Sequence, residues 1–472
     1  MKEKSKLRIE KAEARSLPLQ AVSRGQKSED IIENLVKMLK HRVDAWEIFY
    51  SSQHGIAIEA KDGAVDAFKV SSSHGIGLRV LRGNRAGFAF TSILSGGSID
   101  ELIDNAVMGS VGVEPDEFIS LPSPVSRGTE QELMTFDPSL VQMSEKEKIN
   151  KAVNLEQSAK GFDPRITKVR KASYQESFVT TRIVNFKGVD AGDMATFVSS
   201  SIMAVAEDKG DSQMGWEIGM GHFASDVDVV KVGRDAAKRA VDMLDARTIK
   251  TIKCPVVIEN VIVCEFLEVL APSFLSDNIV KGKSMLKGKK GEKVFSPNLT
   301  IWDNGLLPNG WGTSRVDGEG VPRHKTCLVD KGVCAAYLYD TYWAKREGAV
   351  STGSAARSNF KSVATVGISN LYMEKGEKDL EGLLASMDKG LFITNILGAH
   401  TANPITGDFS FGATGLWVEG GKISYPVRGA AIAGNILRLF SNVEYAGRDL
   451  RFIGRVGAPS LLISEMEISG VN

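Results

Sequence analysis

Few residues in this sequence could hold a metal, and no surplus of charge marks it for nucleic acid. There are six histidines and four cysteines, and 58 Lys and Arg are cancelled by 58 Asp and Glu. Without excess positive charge, the chain lacks the term on which general nucleic-acid affinity rests, so no direct nucleic-acid partner is expected. No run approaches the roughly eighteen uninterrupted apolar residues of a spanning helix, so no membrane partner is expected either. Cys254, Cys264, Cys327 and Cys334 form no CxxC and no disulfide-framework spacing. They suit a reducing compartment and read as small buried hydrophobes. His41, His54, His74, His222, His324 and His400 are scattered, and no helix can present two of their imidazoles one turn apart. The absence of GxSxG removes the strand-to-helix elbow of a serine hydrolase. Residues 1–27 are polar and charge-mixed without an apolar secretory core, so the expected compartment is the cytoplasm.

What is present is ample for more than one core: 472 residues, 43% of them hydrophobic and 25% charged. After a flexible leader over 1–27, Ser28-Glu29-Asp30 offers a cap, and Ile31, Ile32, Leu35, Met38 and Leu39 recur at helical spacing. Alternating segments follow at Ala45–Tyr50, Ile56–Ala60 and Ile76–Leu81, with a hairpin through Arg82–Arg85 into Gly87–Phe90. A capping box at Ser98–Glu101 opens a second helix. After a Pro- and Ser-rich loop the order repeats: a capping box at Ser144–Glu147, a helix to about Lys160, strands at Ile166–Ala172, Ser177–Phe186 and Met194–Ala206, and a helix from Ser225 to about Ala246. Helix, meander, helix thus occurs twice. Beyond residue 250 short strands dominate, interrupted by helices near Leu380–Lys389 and Ala431–Phe440. The expected architecture is α+β with two domains: a duplicated helix–meander–helix domain over 28–250 and a β-rich domain, barrel-like or a coiled sheet, over 251–472.

Two motifs invite a nucleotide reading and lack its context. Gly219-Met-Gly221-His-Phe-Ala224 matches a dinucleotide fingerprint, yet Gln213–Ile218 is a poor buried strand to feed it. Lys281–Lys290 is lysine-rich but never reads GxxxxGK[ST], and its plain reading is a solvated, mobile loop.

Several phrases occur together in order: Ser314-Arg-Val-Asp317-Gly-Glu319-Gly320-Val-Pro322, Leu328–Gly332, Ser351-Thr352-Gly353 through Arg357, Ser369-Asn370, Thr406-Gly407-Asp408 and Val456-Gly457-Ala-Pro459. With Gly75-Ile-Gly77 in the first meander, they resemble the TldD/PmbA family, the "modulator of DNA gyrase" proteins, from about residue 28 to 470. The resemblance implies a subunit of a cytoplasmic metallopeptidase that processes unfolded peptides. In the catalytic TldD-type subunit a helix bears HExxxH and a Cys ligand follows near the C-terminus. There a zinc-activated water attacks the peptide carbonyl. Here Cys264, Glu265 and Val269 stand in the places of His, Glu and His, and Gly447–Gly454 offers no Cys.

This departure makes the chain similar to the PmbA (TldE) type. It implies no catalytic residue and no metal ligand in this chain, zinc in the partner, and a peptide cleft shared with an HExxxH-bearing TldD-type homologue as heterodimer, or with a second copy as homodimer. Asp317, Glu319, Thr352, Gly353, Arg357 and Asp408 are the candidates for lining that cleft; the alternative is that they satisfy backbone groups in tight turns. Two other readings stay open. Cys264 and Glu268, at i and i+4, could belong to an atypical metal site of a self-sufficient peptidase if a third ligand such as His324 or His400 came from elsewhere. The family label also admits a regulatory protein acting on gyrase.

Overall fold

The computed structural model describes residues 30–470 except 41 and 126–130. The expected leader 1–27, the cap at Ser28 and His41 lie outside the described residues.

Helix α1 (30–39) buries Ile32, Leu35 and Leu39 along one stripe, as their spacing predicts. Then come β1 (Ala45–Lys61), β2 (Ala64–Arg82), β3 (Arg85–Thr91) and helix α2 (Gly96–Gly109). The second round has a short helix α3 (Pro138–Gln142), α4 (Glu145–Lys160), β4 (Ile166–Asn185), β5 (Asp190–Asp208), β6 (Asp211–Gly221) and α5 (Val229–Asp242). The six strands make one antiparallel sheet in the order β3-β2-β1-β4-β5-β6, so two three-stranded meanders join along β1 and β4. Strand alternation assigns the faces. Along β1, Trp46, Ile48 and Tyr50 pack with α1 and α2, and Ile58 and Ala60, on the same face, pack with α4 and α5. Phe49 and its neighbour Glu47 turn to the other face, where Phe49 meets Ile183 and Phe360 of the second half.

From residue 250 on, β7 (Ile252–Ile258) leads directly into α6 (Asn260–Leu270). β7 pairs with Gly390–Leu397 on one side and Leu461–Ser469 on the other; the sheet continues through Asp408–Glu419 to Lys422–Asn435, which pairs back onto Leu461–Ser469. Five strands thus close into a barrel. Val256 and Ile258 pack with α6, whereas Val257 packs with the helix Leu380–Met387. Phe266 of α6 sits 5.1 Å from the Phe409 ring and 5.7 Å from Phe411, which locks α6 to the barrel wall. A further sheet brings Ile301–Asn304 and Leu371–Met373 beside the hairpin Arg451–Ile453/Val456–Ala458. Among the described residues no helix is long and apolar enough to cross a membrane.

Several local expectations change. Ala45–Tyr50 and Ile56–Ala60 are one strand, as are Ile166–Ala172 and most of Ser177–Phe186, because the polar residues between them pair across β1 and β4. Gln213–Ile218 is a true strand, an antiparallel edge, and the glycines after it serve packing: a side chain at Gly221 would run into Asp226. The Ser98 box is not made, because α2 starts two residues earlier, at Gly96. The Ser144 box is made in full, with Ser144 N–H donating to Glu147 at 2.9 Å and Glu147 N–H to Ser144 Oγ at 3.3 Å. Ala431–Asn435 is barrel strand, and only Ile436–Ser441 is helix. The lysine-rich loop is anchored by Met285 and Leu286, both in the core.

Candidate functional site

Helix α6, which carries Cys264, Glu265 and Val269, presents its side chains in two directions. Cys264 faces inward, 2% exposed, and its thiol lies 3.6 Å from the carbonyl oxygens of both Arg451 and Val456, to which it can donate. Burial pushes that thiol up to about 12, so with no metal bound it carries its proton at neutral pH. Glu265 is half-buried; burial, joined by the charge of Glu268, raises it to about 6. Burial likewise raises Glu268. Val269 packs against the core cluster. Among the described residues, no three His, Cys, Asp or Glu side chains gather where they could hold a metal ion. The residues present therefore do not fit the zinc site of an HExxxH helix. His324 and His400 are exposed and bring no third ligand to Cys264 and Glu268.

The C-terminal end of α6 opens into a cleft of about 650 Å³. Its walls include Met220 at the end of β6, Glu268, Trp311, Ile368, Ile453 and Arg455. A half-buried ion network ties these elements together. Glu259, at the start of α6, receives Arg239 of α5 through two bonds of 2.8 and 2.6 Å. The Nε of Arg239 donates to Glu217 of β6 at 3.1 Å, and Glu217 also pairs with Arg451 of the hairpin. Burial alone would raise Glu217, but the hydrogen bond and charge of Arg451 and the charge of Arg239 outweigh it and hold its carboxyl below the usual range. Arg451 also donates to the Ile218 carbonyl at 2.7 Å. Thus β6, α5, α6 and the hairpin meet through charged pairs, one of them bidentate, and not through apolar contact alone.

The six residues considered for lining a cleft lie elsewhere. Asp317 and Glu319 are 4% and 2% exposed. Asp317 accepts the Glu319 and Val321 N–H groups at 2.9 Å and the Ala355 N–H at 2.9 Å, closing the turn between them. Glu319 accepts the Thr341 N–H at 2.9 Å; burial and the nearby Asp317, Asp340 and Glu47 push it up to about 8. Arg357 is interior, paired with Glu47 of β1, with its guanidinium 4.5 Å from the centre of the Phe49 ring. Thr352 donates to Ser354 at 2.8 Å, and Gly353 takes φ 62° with Pro322 and Arg323 packed against it, leaving no room for a side chain. Asp408 accepts from Thr406 at 2.8 Å and Asn435 at 2.9 Å in a surface turn at the barrel rim. Gly75 and Gly77 belong to the same interior: a side chain at either would strike Phe360.

Trp311, Arg455 and the Glu217–Arg239–Arg451 network went unread in the sequence. The only local signal for Arg455 was its position immediately before the phrase Val456-Gly457-Ala-Pro459.

Three family models match in order along the chain: PmbA/TldA metallopeptidase domain 1 over residues 46–109, the central domain over 138–244, and the C-terminal domain over 251–470. The chain is 28% identical to the metalloprotease PmbA of Escherichia coli O157:H7, over 94% of this chain and 96% of that one. Its fold matches a candidate modulator of a DNA gyrase from Thermotoga maritima with TM-score 0.87 and 26% identity, over 93% of this chain and 100% of that one. It also matches TldE from Thermococcus kodakarensis with TM-score 0.85 and 21% identity, over 93% and 100% of the two chains.

Proposed function

The chain belongs to the PmbA/TldD metallopeptidase family, and on that footing we propose that it is a subunit that binds no metal and shapes the peptide cleft of a cytoplasmic peptidase complex whose zinc is held by an HExxxH-bearing partner. The observation that carries this reading is the state of Cys264. It occupies the place of a motif histidine, is sealed from solvent, and keeps its proton because burial has pushed it up to about 12. Its thiol is directed at two backbone carbonyls, and among the described residues no three His, Cys, Asp or Glu side chains gather where a metal could be held. Val269, at the second histidine position, has no donor atom. What the chain contributes is a cleft beside α6, held in shape by the Glu217–Arg239–Glu259–Arg451 network. Glu265 and Glu268, both raised above the usual carboxylate range, can exchange a proton with a bound peptide.

The test mixes the purified chain with an HExxxH-bearing homologue and follows cleavage of an unfolded peptide. Cleavage only by the mixture is expected. Cleavage by this chain alone, abolished by a chelator and by Cys264→Ala, would overturn the reading.

A further inference from the structure

The cleft beside α6 is lined by a cation that makes no hydrogen bond and no ion pair among the described residues. Arg455 sits in the two-residue turn of the hairpin Arg451–Ile453/Val456–Ala458, where Gly454 takes φ 58°. The turn is held on both sides. The Arg455 carbonyl accepts the Leu371 N–H at 2.9 Å, and Gly454 N–H points at the Met220 sulfur at 2.8 Å. The Arg455 stem crosses Gly312, where any side chain would press on its Cδ at 3.3 Å. The guanidinium is thereby delivered into the cleft, and among the described residues it makes no hydrogen bond and no ion pair.

The surroundings sharpen this. The nearby cation, Arg323, binds neutral partners, donating to Ser314 Oγ at 2.8 Å and to the Gly353 carbonyl at 3.3 Å. The nearby carboxylate, Asp303, is 3% exposed and already takes both the N–H and the hydroxyl of Ser369, at 2.8 and 2.6 Å. Burial also raises Asp303, which weakens it as a counter-ion. Glu268 lines the same cleft without pairing with Arg455. The charge of Arg323 presses against the charged form of Arg455 and that of Asp303 favours it, while the residue itself is exposed, so an incoming anion can reach it. The neighbouring walls are Trp311, Ile368 and Ile453, which offer apolar surface next to the charge. An arginine fork beside an aromatic and aliphatic wall suits a carboxylate attached to a peptide better than a bare inorganic ion.

We propose that Arg455 is the anchor of this cleft, taking a carboxylate of the bound peptide, either its terminal carboxylate or an Asp or Glu side chain. The inference rests on the reading of the cleft as a peptide site and adds the substrate feature it selects.

The test is calorimetric titration of the full chain, alone and mixed with an HExxxH-bearing homologue whose motif Glu is replaced by Gln. Three decapeptides of otherwise uncharged residues are used: one with a free C-terminus, one amidated, and one amidated with a single internal Asp. A carboxylate in an Arg fork should tighten binding about tenfold to a hundredfold over the uncharged amidated peptide. Arg455→Gln should erase that difference, and Arg455→Lys should restore part of it. Which of the two carboxylate peptides gains identifies the source of the anion. Equal binding of all three to the wild type, or a carboxylate advantage that survives Arg455→Gln, overturns the anchor while leaving a peptide cleft in place. Failure of every peptide to bind, alone or in the mixture, overturns both the anchor and the peptide reading beneath it. Since Arg455 has no partner among the described residues, the Gln variant should melt with the wild type, which separates lost binding from lost fold.

Discussion

Replacing Arg357 by Ala should destabilise the chain severely without touching the cleft. The side chains of Arg357 and Glu47 are 2% and 0% exposed, and the pair joins β1 to the segment that follows the Gly353 turn. Arg357 also donates to the carbonyls of Gly318 at 3.2 Å and Ser362 at 3.4 Å. The second Glu47 oxygen is buried with no hydrogen-bond partner. Removing the guanidinium therefore leaves a whole buried carboxylate without a donor among the described residues. Breaking a buried pair in this way costs about 3–5 kcal/mol. Loss of the contact with Phe49 adds up to roughly 2 kcal/mol where the cation is desolvated. Guanidinium unfolding followed by circular dichroism should show the loss as a lower midpoint. The double variant Glu47→Leu/Arg357→Met should recover more than half of it, since an apolar pair of similar volume leaves no buried charge behind. A single-variant loss below about 1 kcal/mol would refute the argument. So would a variant of unchanged stability that cripples peptide cleavage in the mixture, for then Arg357 meets the peptide after all.

Other outcomes follow from the same interior. Glu319 titrates near 8 in the fold against an ordinary 4.5, so from pH 4.5 to 8 the folded chain holds a proton that the unfolded chain has released. Stability should fall as pH rises through that window, by at most about 1.4 kcal/mol per pH unit from this group, and Glu319→Gln should flatten the decline in a melting series from pH 5 to 9; an unchanged slope would count against it. His222, wholly buried, places Nδ1 2.6 Å from the Thr196 carbonyl and Nε2 3.0 Å from that of Gly310, so His222→Ala should cost about 2–4 kcal/mol by chemical denaturation. Cys327 is half-buried while Cys254, Cys264 and Cys334 are buried, so a thiol reagent should label Cys327 first in the native chain and the other three only on unfolding. Gly77→Ala would drive a methyl group into the Phe360 carbonyl and should lower the melting temperature by several degrees, whereas Gly97→Ala, with open space around it, should not.

What could be read from the sequence was what is local. The Ser144 box needs only residues within one turn of each other, and it formed as written. Helix α6 is likewise local, since the apolar spacing of Ile262, Val263, Phe266, Leu267 and Leu270 defines its buried face. The long strands were not, since Ser51–Gly55 is polar on both faces and becomes strand only because β2 and β4 supply hydrogen-bond partners on either side. Ala431–Asn435 is alanine-rich and reads as helix, and the barrel overrides that preference by pairing it with Asp408–Gly412. Burial was hidden for the same reason. Arg357 looks like a surface cation until β1, from the far end of the sequence, arrives to cover it. Arg455 is the opposite case: an arginine in an ordinary hairpin, made notable only by what the fold fails to place beside it.

The way β7 is held has a consequence for the order of events during folding. Its two neighbours in the barrel, Gly390–Leu397 and Leu461–Ser469, come from far downstream, and α6 follows β7 without a pause. Pairings of such high sequence separation are made late, because closing long loops costs entropy before any contact rewards it. The orientation of α6, and with it the mouth of the cleft, is therefore set among the last steps. A nascent or partly folded chain therefore has no formed cleft beside α6.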